Sequence, residues 1–366
     1  MSLRCQARGG INLGQGVCDL PTPTLVAEGA IAAISAHKAI YAPPAGIAEL
    51  RQAVAQKIQR DYGLSYEAES EVLITSGATG GFAAALMALC QPGDEIILFE
   101  PFYSYHLNTV LALGLTPVLV PLSPPDWRIG KSELEAAITD RTRGIVVCSP
   151  SNPSGKVVTA LEQEMLAELC KSEDLIAFTD EIYEHIVFDG MKHVPLASQP
   201  GMRGRCVSIS GLSKTFSITG WRVGYLTAPP AALERITVAH DLLYVCAPTP
   251  LQLGALSGLA MPASYFAELS AMYQKKRDIL CGALADAGLT PYVPTGAYYV
   301  LADCRKLGCA TSREAAYKLL DEVGIAAIAG TSFYRDAIGD TLLRFCFAKD
   351  DAALTEAASR LRKHFT

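Results

Sequence analysis

No apolar run in these 366 residues approaches the ~18 needed to cross a membrane; the longest, such as Ala83 to Cys90, fall far short. The amino-terminal stretch has no signal-peptide core, which predicts a cytoplasmic protein. Positive charge is scarce: 31 Lys and Arg stand against 37 Asp and Glu, a net charge of −6. That balance excludes non-specific binding to nucleic acid or anionic membrane as the main task. Any anionic ligand must be held by local arginines. The 11 cysteines contain no CxxC pair and no Cys/His grouping with zinc spacing, and the 6 histidines are dispersed, so a disulfide scaffold and a metal site both lack support. Reduced thiols are expected, most of them in apolar runs such as those of Cys148 and Cys346, where a cysteine acts as a small hydrophobe. There is no internal repeat and no Gly- or Ser-rich linker.

What is present is ordinary globular composition: 50% hydrophobic and 19% charged residues, with 30 Gly and 21 Pro scattered along the chain. The length is about 2.4 times a ~150-residue domain, which predicts two domains. From Glu71 onward, short β-branched runs alternate with helical segments. Strands are expected at 72–75, 95–99, 117–120, 144–148, 175–179, 206–209 and 223–227, with helices such as 80–90, 105–113 and 161–172 between them. The fold class that follows is α/β: an open, mostly parallel seven-stranded sheet flanked by helices, in a large domain over 31–262. A long helix over 265–287, strands at 297–303 and 342–348, and helices at 312–324 and 352–365 predict a smaller α+β domain, 263–366. Residues 1–30 lack this rhythm and are expected to pack with the smaller domain.

Polar clusters recur just after successive strands: Ser76 to Gly81 (SGATGG), Glu100 to Tyr103 (EPFY), Ser149 to Gly155 (SPSNPSG), Asp180 to Tyr183, and Ser210 to Lys214. In a parallel sheet these points share one edge, where open α/β folds bind ligands. Each cluster alone has two readings. SGATGG is a turn into a helix, or a cradle of Ala78 and Thr79 amides for an anion. NPSG is a β-turn or part of a site. Asp180 could cap a helix, Tyr183 could pack on the sheet, and Arg222 could face water. The segment Ser210 to Tyr225 resists such readings, because a lysine among Ser, Thr and Gly followed eight residues later by a strand-entering arginine is not a core pattern.

With that segment the chain resembles the class I/II aminotransferases, fold-type-I enzymes that use pyridoxal phosphate (PLP), in their aspartate, aromatic and kynurenine branch. The motifs run in family order: LGQG, YAPPAGIAELR, SGATGG, EPFY, SNPSG, DEIYE, SGLSKTFSITGWRVGY and LLRFCFA. The resemblance implies that Lys214 holds the cofactor aldehyde as an imine, for which its amine must be unprotonated. It implies that Asp180 pairs with the protonated pyridine nitrogen, making the ring an electron sink. Asn152 and Tyr183 would bond the ring 3-oxygen, and Tyr103 would stack on the ring. The phosphate would be held by Arg222, by Ser210 or Ser213, and by the turn at Gly77, Ala78 and Thr79. Tyr41 would reach the phosphate from a partner subunit, implying a homodimer with shared sites. Arg344 would clamp the substrate α-carboxylate, helped by Asn152 and by a close backbone approach at Gly16.

The implied reaction is ping-pong transfer of an amino group from an L-amino acid to a 2-oxo acid such as 2-oxoglutarate, with Lys214 as the proton carrier. From Ile236 through Gln274 there is no Lys or Arg, so the second arginine that dicarboxylate-specific members can use is missing there. A wall of Tyr244, Val245, Cys18, Tyr41 and Phe333 is expected to favour large neutral or aromatic donors, with aspartate a further candidate. Two alternatives share the motifs: a PLP-dependent β-C–S lyase, and a non-catalytic PLP-binding sensor or regulator.

Overall fold

A computed structural model describes residues 1–365. The β-branched runs form strands, because Ile96, Ile97, Ile145, Val146 and Val147 can be buried on both faces of a pleated surface. Their side chains alternate. Ile96, Leu98 and Val146 join a core with Phe82, Phe178 and Leu226, whereas Ile97, Ile145 and Val147 join another with Trp127, Leu166 and Cys170. A two-faced sheet with helices on each side follows directly.

Seven strands lie in the order Val72–Ser76, Val223–Thr227, Cys206–Gly211, Ile176–Asp180, Thr142–Cys148, Glu95–Glu100 and Thr116–Pro121. All neighbours are parallel except at Val223–Thr227, which runs antiparallel to both of its partners. That reversal brings the start of this strand, and so Arg222, to the edge where the other six strands end. Helices Gly77–Leu89, Ser104–Ala112 and Ala160–Ser172 fill the connections. The last is entered through a capping box in which the Thr159 side chain and Glu162 satisfy each other's backbone amides.

Carboxy-terminal strands Ile328–Ala329, Leu342–Cys346, Tyr299–Asp303 and Thr290–Tyr292 form an antiparallel sheet in that order. Helices Ala263–Asp286, Ser312–Val323 and Asp351–Phe365 accompany it and share its core of Tyr273, Leu284, Leu319, Phe345 and Leu361. The first thirty residues divide their loyalty. Ile11–Asn12 pairs in parallel with Ile325–Ala326, but residue 30 lies inside helix Thr24–Ser35, whose strongest packing is against helix Thr249–Leu259 beside the large sheet. Among the described residues no helix is long and apolar enough to cross a membrane.

Candidate active site

The first sheet strand ends at Ser76, and Gly77 turns the chain into a helix with φ of +70°. A Cβ on Gly77 would fall 2.2 Å from Arg222 Nη2, so only glycine lets the guanidinium lie against the helix start. Ala78 and Thr79 follow in the first helical turn, where amides lack intrahelical acceptors, and both border a cavity of 660 Å³. Arg222 also lines it, with φ of +56°, a left-handed conformation costing on the order of 1 kcal/mol for a non-glycine residue. Its Nη1 donates to the Thr219 carbonyl at 3.0 Å. Nearby on the wall, Ser213 Oγ is buried with no hydrogen-bond partner.

Lys214 projects into the same cavity, its Nζ 5.4 Å from the centre of the Tyr298 ring. Burial lowers its ammonium pKa below the usual lysine range and Arg222 adds to that, while Cys346, Cys18 and Asp180 pull the other way. Asp180 closes its strand with Oδ1 accepting from the Ile182 amide at 3.3 Å and Oδ2 lying 3.0 Å from His106 Nε2. His106 went unnoticed in the sequence. It sits one helical turn after Tyr103, with its ring centre 5.2 Å from that of Tyr103 and 4.7 Å from that of Phe82.

Tyr183 is buried, and burial pushes its phenol pKa well up, as it does for Tyr103, so both rings carry neutral hydroxyls. The Tyr183 hydroxyl lies 3.4 Å from that of Tyr299. Tyr298 and Tyr299, also unforeseen, shape the Gly16 corner. The Tyr298 hydroxyl donates to the Gly16 carbonyl at 3.1 Å, and a Cβ on Gly16 would meet Tyr299 Oη at 1.8 Å.

Arg344 is buried in strand Leu342–Cys346. Its Nη1 donates to Asn152 Oδ1 at 2.9 Å and its Nη2 to the Gly14 carbonyl at 2.6 Å, while Nε has no partner. The guanidinium lies 4.3 Å from the ring centre of Tyr299 and 4.7 Å from that of Phe333. A buried cation held only by neutral acceptors and aromatic faces leaves a place for an anion.

The cavity therefore gathers Gly16, Ala78, Thr79, Tyr103, Asn152, Asp180, Tyr183, Ser213, Lys214, Arg222, Phe333 and Arg344, with Gly77 directly behind Arg222. Five expected residues are elsewhere. Ser210 does not reach it: its hydroxyl donates to Glu184 Oε1 at 2.8 Å and lies 3.3 Å from the Glu181 carbonyl. Cys18 is not on the wall either; its thiol lies 3.3 Å from Ser217 Oγ and 3.2 Å from Tyr273 Oη. Tyr41 is 82% exposed on the outer surface. Tyr244 and Val245 are partly exposed as well, with Tyr244 packed against Gly80 and His240. Of the wall expected from the sequence, this chain contributes Phe333, joined by Val17, Tyr105 and Ile328.

The sequence profile of the family described as "Aminotransferase class I and II" matches residues 8–361. The probable N-succinyldiaminopimelate aminotransferase DapC of Mycobacterium tuberculosis is 36% identical over 99% of this chain and 94% of that protein. The methionine aminotransferase of Escherichia coli is 34% identical over 99% of this chain and 94% of its own length. The solved structure of the Mycobacterium tuberculosis N-succinyldiaminopimelate aminotransferase superposes with a TM-score of 0.96, covering 99% of this chain and 95% of that one. With its fold, its full-length relatives and its profile in agreement, the chain belongs to the class I and II aminotransferases and is a PLP-dependent transaminase.

Proposed function

We propose that this enzyme transfers the amino group of a large neutral or aromatic L-amino acid to a 2-oxo acid by a ping-pong cycle. One observation carries the reading. Among the described residues, the cations of the cavity are Lys214, Arg222 and Arg344, and none of the three has a carboxylate partner. Arg222 lies with the helix amides and the orphaned Ser213 hydroxyl, a donor set that suits the cofactor's phosphate. Asp180, kept in place by His106, suits the protonated ring nitrogen, and the neutral Tyr183 and Asn152 suit the ring oxygen. Arg344 then remains as the one cation for substrate, enough for an α-carboxylate but not for a second acidic group.

When bound, the cofactor supplies an aldehyde that takes up the amino group and a ring that draws electrons from the donor's Cα. The protein does the rest. Arg344 Nε and its neighbours hold the α-carboxylate, which fixes the Cα–H bond relative to Lys214. Lys214 Nζ, whose ammonium pKa is lowered by burial, accepts that proton and delivers it to the carbon receiving nitrogen. Val17, Tyr105, Ile328 and Phe333 face the donor's side chain. This lining suits methionine or an aromatic donor, whereas N-succinyldiaminopimelate would bring further carboxylates. The full-length relatives are named for transamination, which favours transfer over C–S lysis and over an idle sensor. Cytoplasmic residence fits the free thiols. We assign residues 31–262 to the cofactor domain and 263–366 to the smaller one.

Two measurements test this reading. Lys214→Ala is expected to abolish both turnover and the visible absorption of the loaded enzyme; retention of both removes Lys214 from its role. Half-reaction spectra over a panel of amino acids are expected to rank methionine, phenylalanine and tyrosine above aspartate by about 100-fold in kcat/KM, the cost of one unpaired buried carboxylate. Aspartate at the head of the panel would overturn the assignment.

A further inference from the structure

Behind the cavity, on the far side of the Asp180–Tyr183 turn, lies a buried polar hub that the reaction does not use. Its centre is Glu184, with Oε1 accepting from Ser210 Oγ at 2.8 Å and from Tyr225 Oη at 2.8 Å. Oε2 accepts from the Tyr62 hydroxyl and from Lys57 Nζ, and Lys57 is itself buried, 3.4 Å from Tyr225 Oη and 3.7 Å from Asp61. Four donors fill the carboxylate's acceptor sites. Burial alone would raise the Glu184 pKa, but Lys57, with His185 and His193, overcomes it and keeps the carboxyl ionised.

The positions of the donors matter more than their number. Glu184 directly follows Tyr183 and is four residues beyond Asp180. Ser210 is four residues before Lys214 and three before Ser213. Tyr225 is three residues after Arg222. Ser210 and Tyr225 stand directly opposite each other in neighbouring strands, so their side chains share one face of the sheet. Three separate stretches that carry cavity groups therefore each commit one side chain to the same carboxylate. A buried ion pair is a poor source of stability, since its desolvation cost offsets its attraction, so what it contributes here is geometry.

Taking the cavity as the PLP site argued above, we propose that Glu184 is a positioning residue. Anchored by Lys57, its carboxylate fixes the Asp180–Tyr183 turn, the Lys214 segment and the Arg222 strand in mutual register from behind. The cofactor contacts at ring nitrogen, aldehyde and phosphate are thereby set together, which side-chain packing alone would leave to separate strand ends.

The test uses loaded enzyme and four variants: Glu184→Gln, Ser210→Ala, Tyr225→Phe and the double Lys57→Met/Glu184→Gln. Tyr225→Phe and Ser210→Ala each cut one tie without stranding a charge, so they carry the test even where Glu184→Gln fails to fold. Read-outs are the rate of PLP loss to a trapping agent, the pH midpoint of the visible band, kcat and KM, and the thermal midpoint. Expected for Glu184→Gln and Tyr225→Phe is PLP loss about tenfold faster and kcat about tenfold lower, with KM for the amino donor within about twofold, the pattern of a supporting residue behind a ligand. The double variant is expected to regain thermal stability without regaining cofactor retention. Thermal midpoints that fall while PLP loss, pH midpoint and kcat stay at parental values would overturn the proposal. Failure of the PLP site itself would look different: the parent enzyme would then hold no visible band for Lys214→Ala to abolish.

Discussion

At the scale of single residues, the corner of the cavity beside Arg344 depends on what is missing at position 16. The Tyr299 hydroxyl occupies the space a Cβ would need there, 1.8 Å from its ideal position. Gly16→Ala is expected to push Tyr299 away from beneath Arg344 and lower kcat/KM by about 100-fold, the cost of an ~1 Å misplacement at a positioning group. Adding Tyr299→Phe, which removes the colliding oxygen, is expected to restore part of that loss in the same kinetic assay. The glycine was legible in the LGQG motif; the tyrosine was not. In a strand reading AYYVLAD, two adjacent aromatics look like core, and both are in fact buried. What sets Tyr299 apart is the Arg344 guanidinium from the neighbouring strand of its own sheet, with the Gly16 loop against its hydroxyl, which periodicity does not report. His106 was hidden for the same reason, since a lone histidine in a helix reads as a satisfied core residue until Asp180 is seen 3.0 Å away.

At the scale of elements, the seven sheet strands were readable to within two residues at each end, because each is a short β-branched run bounded by turn residues. Direction was harder. Nothing in the run from Val223 to Thr227 says that it is antiparallel, and only pairing explains why Arg222 precedes its strand while Ala78, Tyr103, Asn152 and Lys214 follow theirs. Ser210 illustrates the limit of proximity in sequence: alternation along its strand turns it toward Tyr225 and Glu184, not toward the cavity. The helix after the Gly77 turn has its own brace. His240, fully buried, accepts the Ser76 amide proton on Nε2 at 3.0 Å. Burial lowers its pKa to about 4, against 6.5 for a free imidazole, with Asp241 opposing only in part. Between those values the unfolded chain binds the extra proton, so stability is full above pH 6.5 and is lost on acidification toward pH 4. By pH 5 the loss from this group is about 2 kcal/mol. Urea midpoints at pH 7 and pH 5 check this, and the acid-induced decrease is expected to shrink in His240→Gln. His185, also pulled down to about 4 by burial, adds to the same slope.

At the scale of the whole molecule, Ile31, Ile34, Ile40, Tyr41 and Leu242 are each more than half exposed, large apolar side chains that a second copy of the chain would cover if sites are shared. If Tyr41 completes a partner's phosphate contacts, Tyr41→Ala and Lys214→Ala chains are each inactive or impaired alone. Mixed after dissociation and reassociation, they are expected to regain about a quarter of parental activity, because half of the assemblies are hybrids with one intact site in two. Strictly additive activity on mixing would mean that each site is built from one chain. The change of rhythm near residue 262 coincides with the start of the long helix Ala263–Asp286, whose N-cap is Pro262. The dependence of one site on distant segments was visible only in the fold. Arg344 is braced by Gly14 and Asn152, 330 and 192 residues away along the chain. A growing polypeptide therefore has no handle for an amino acid until nearly all of it has left the ribosome, and an unfinished product is silent instead of wrongly active.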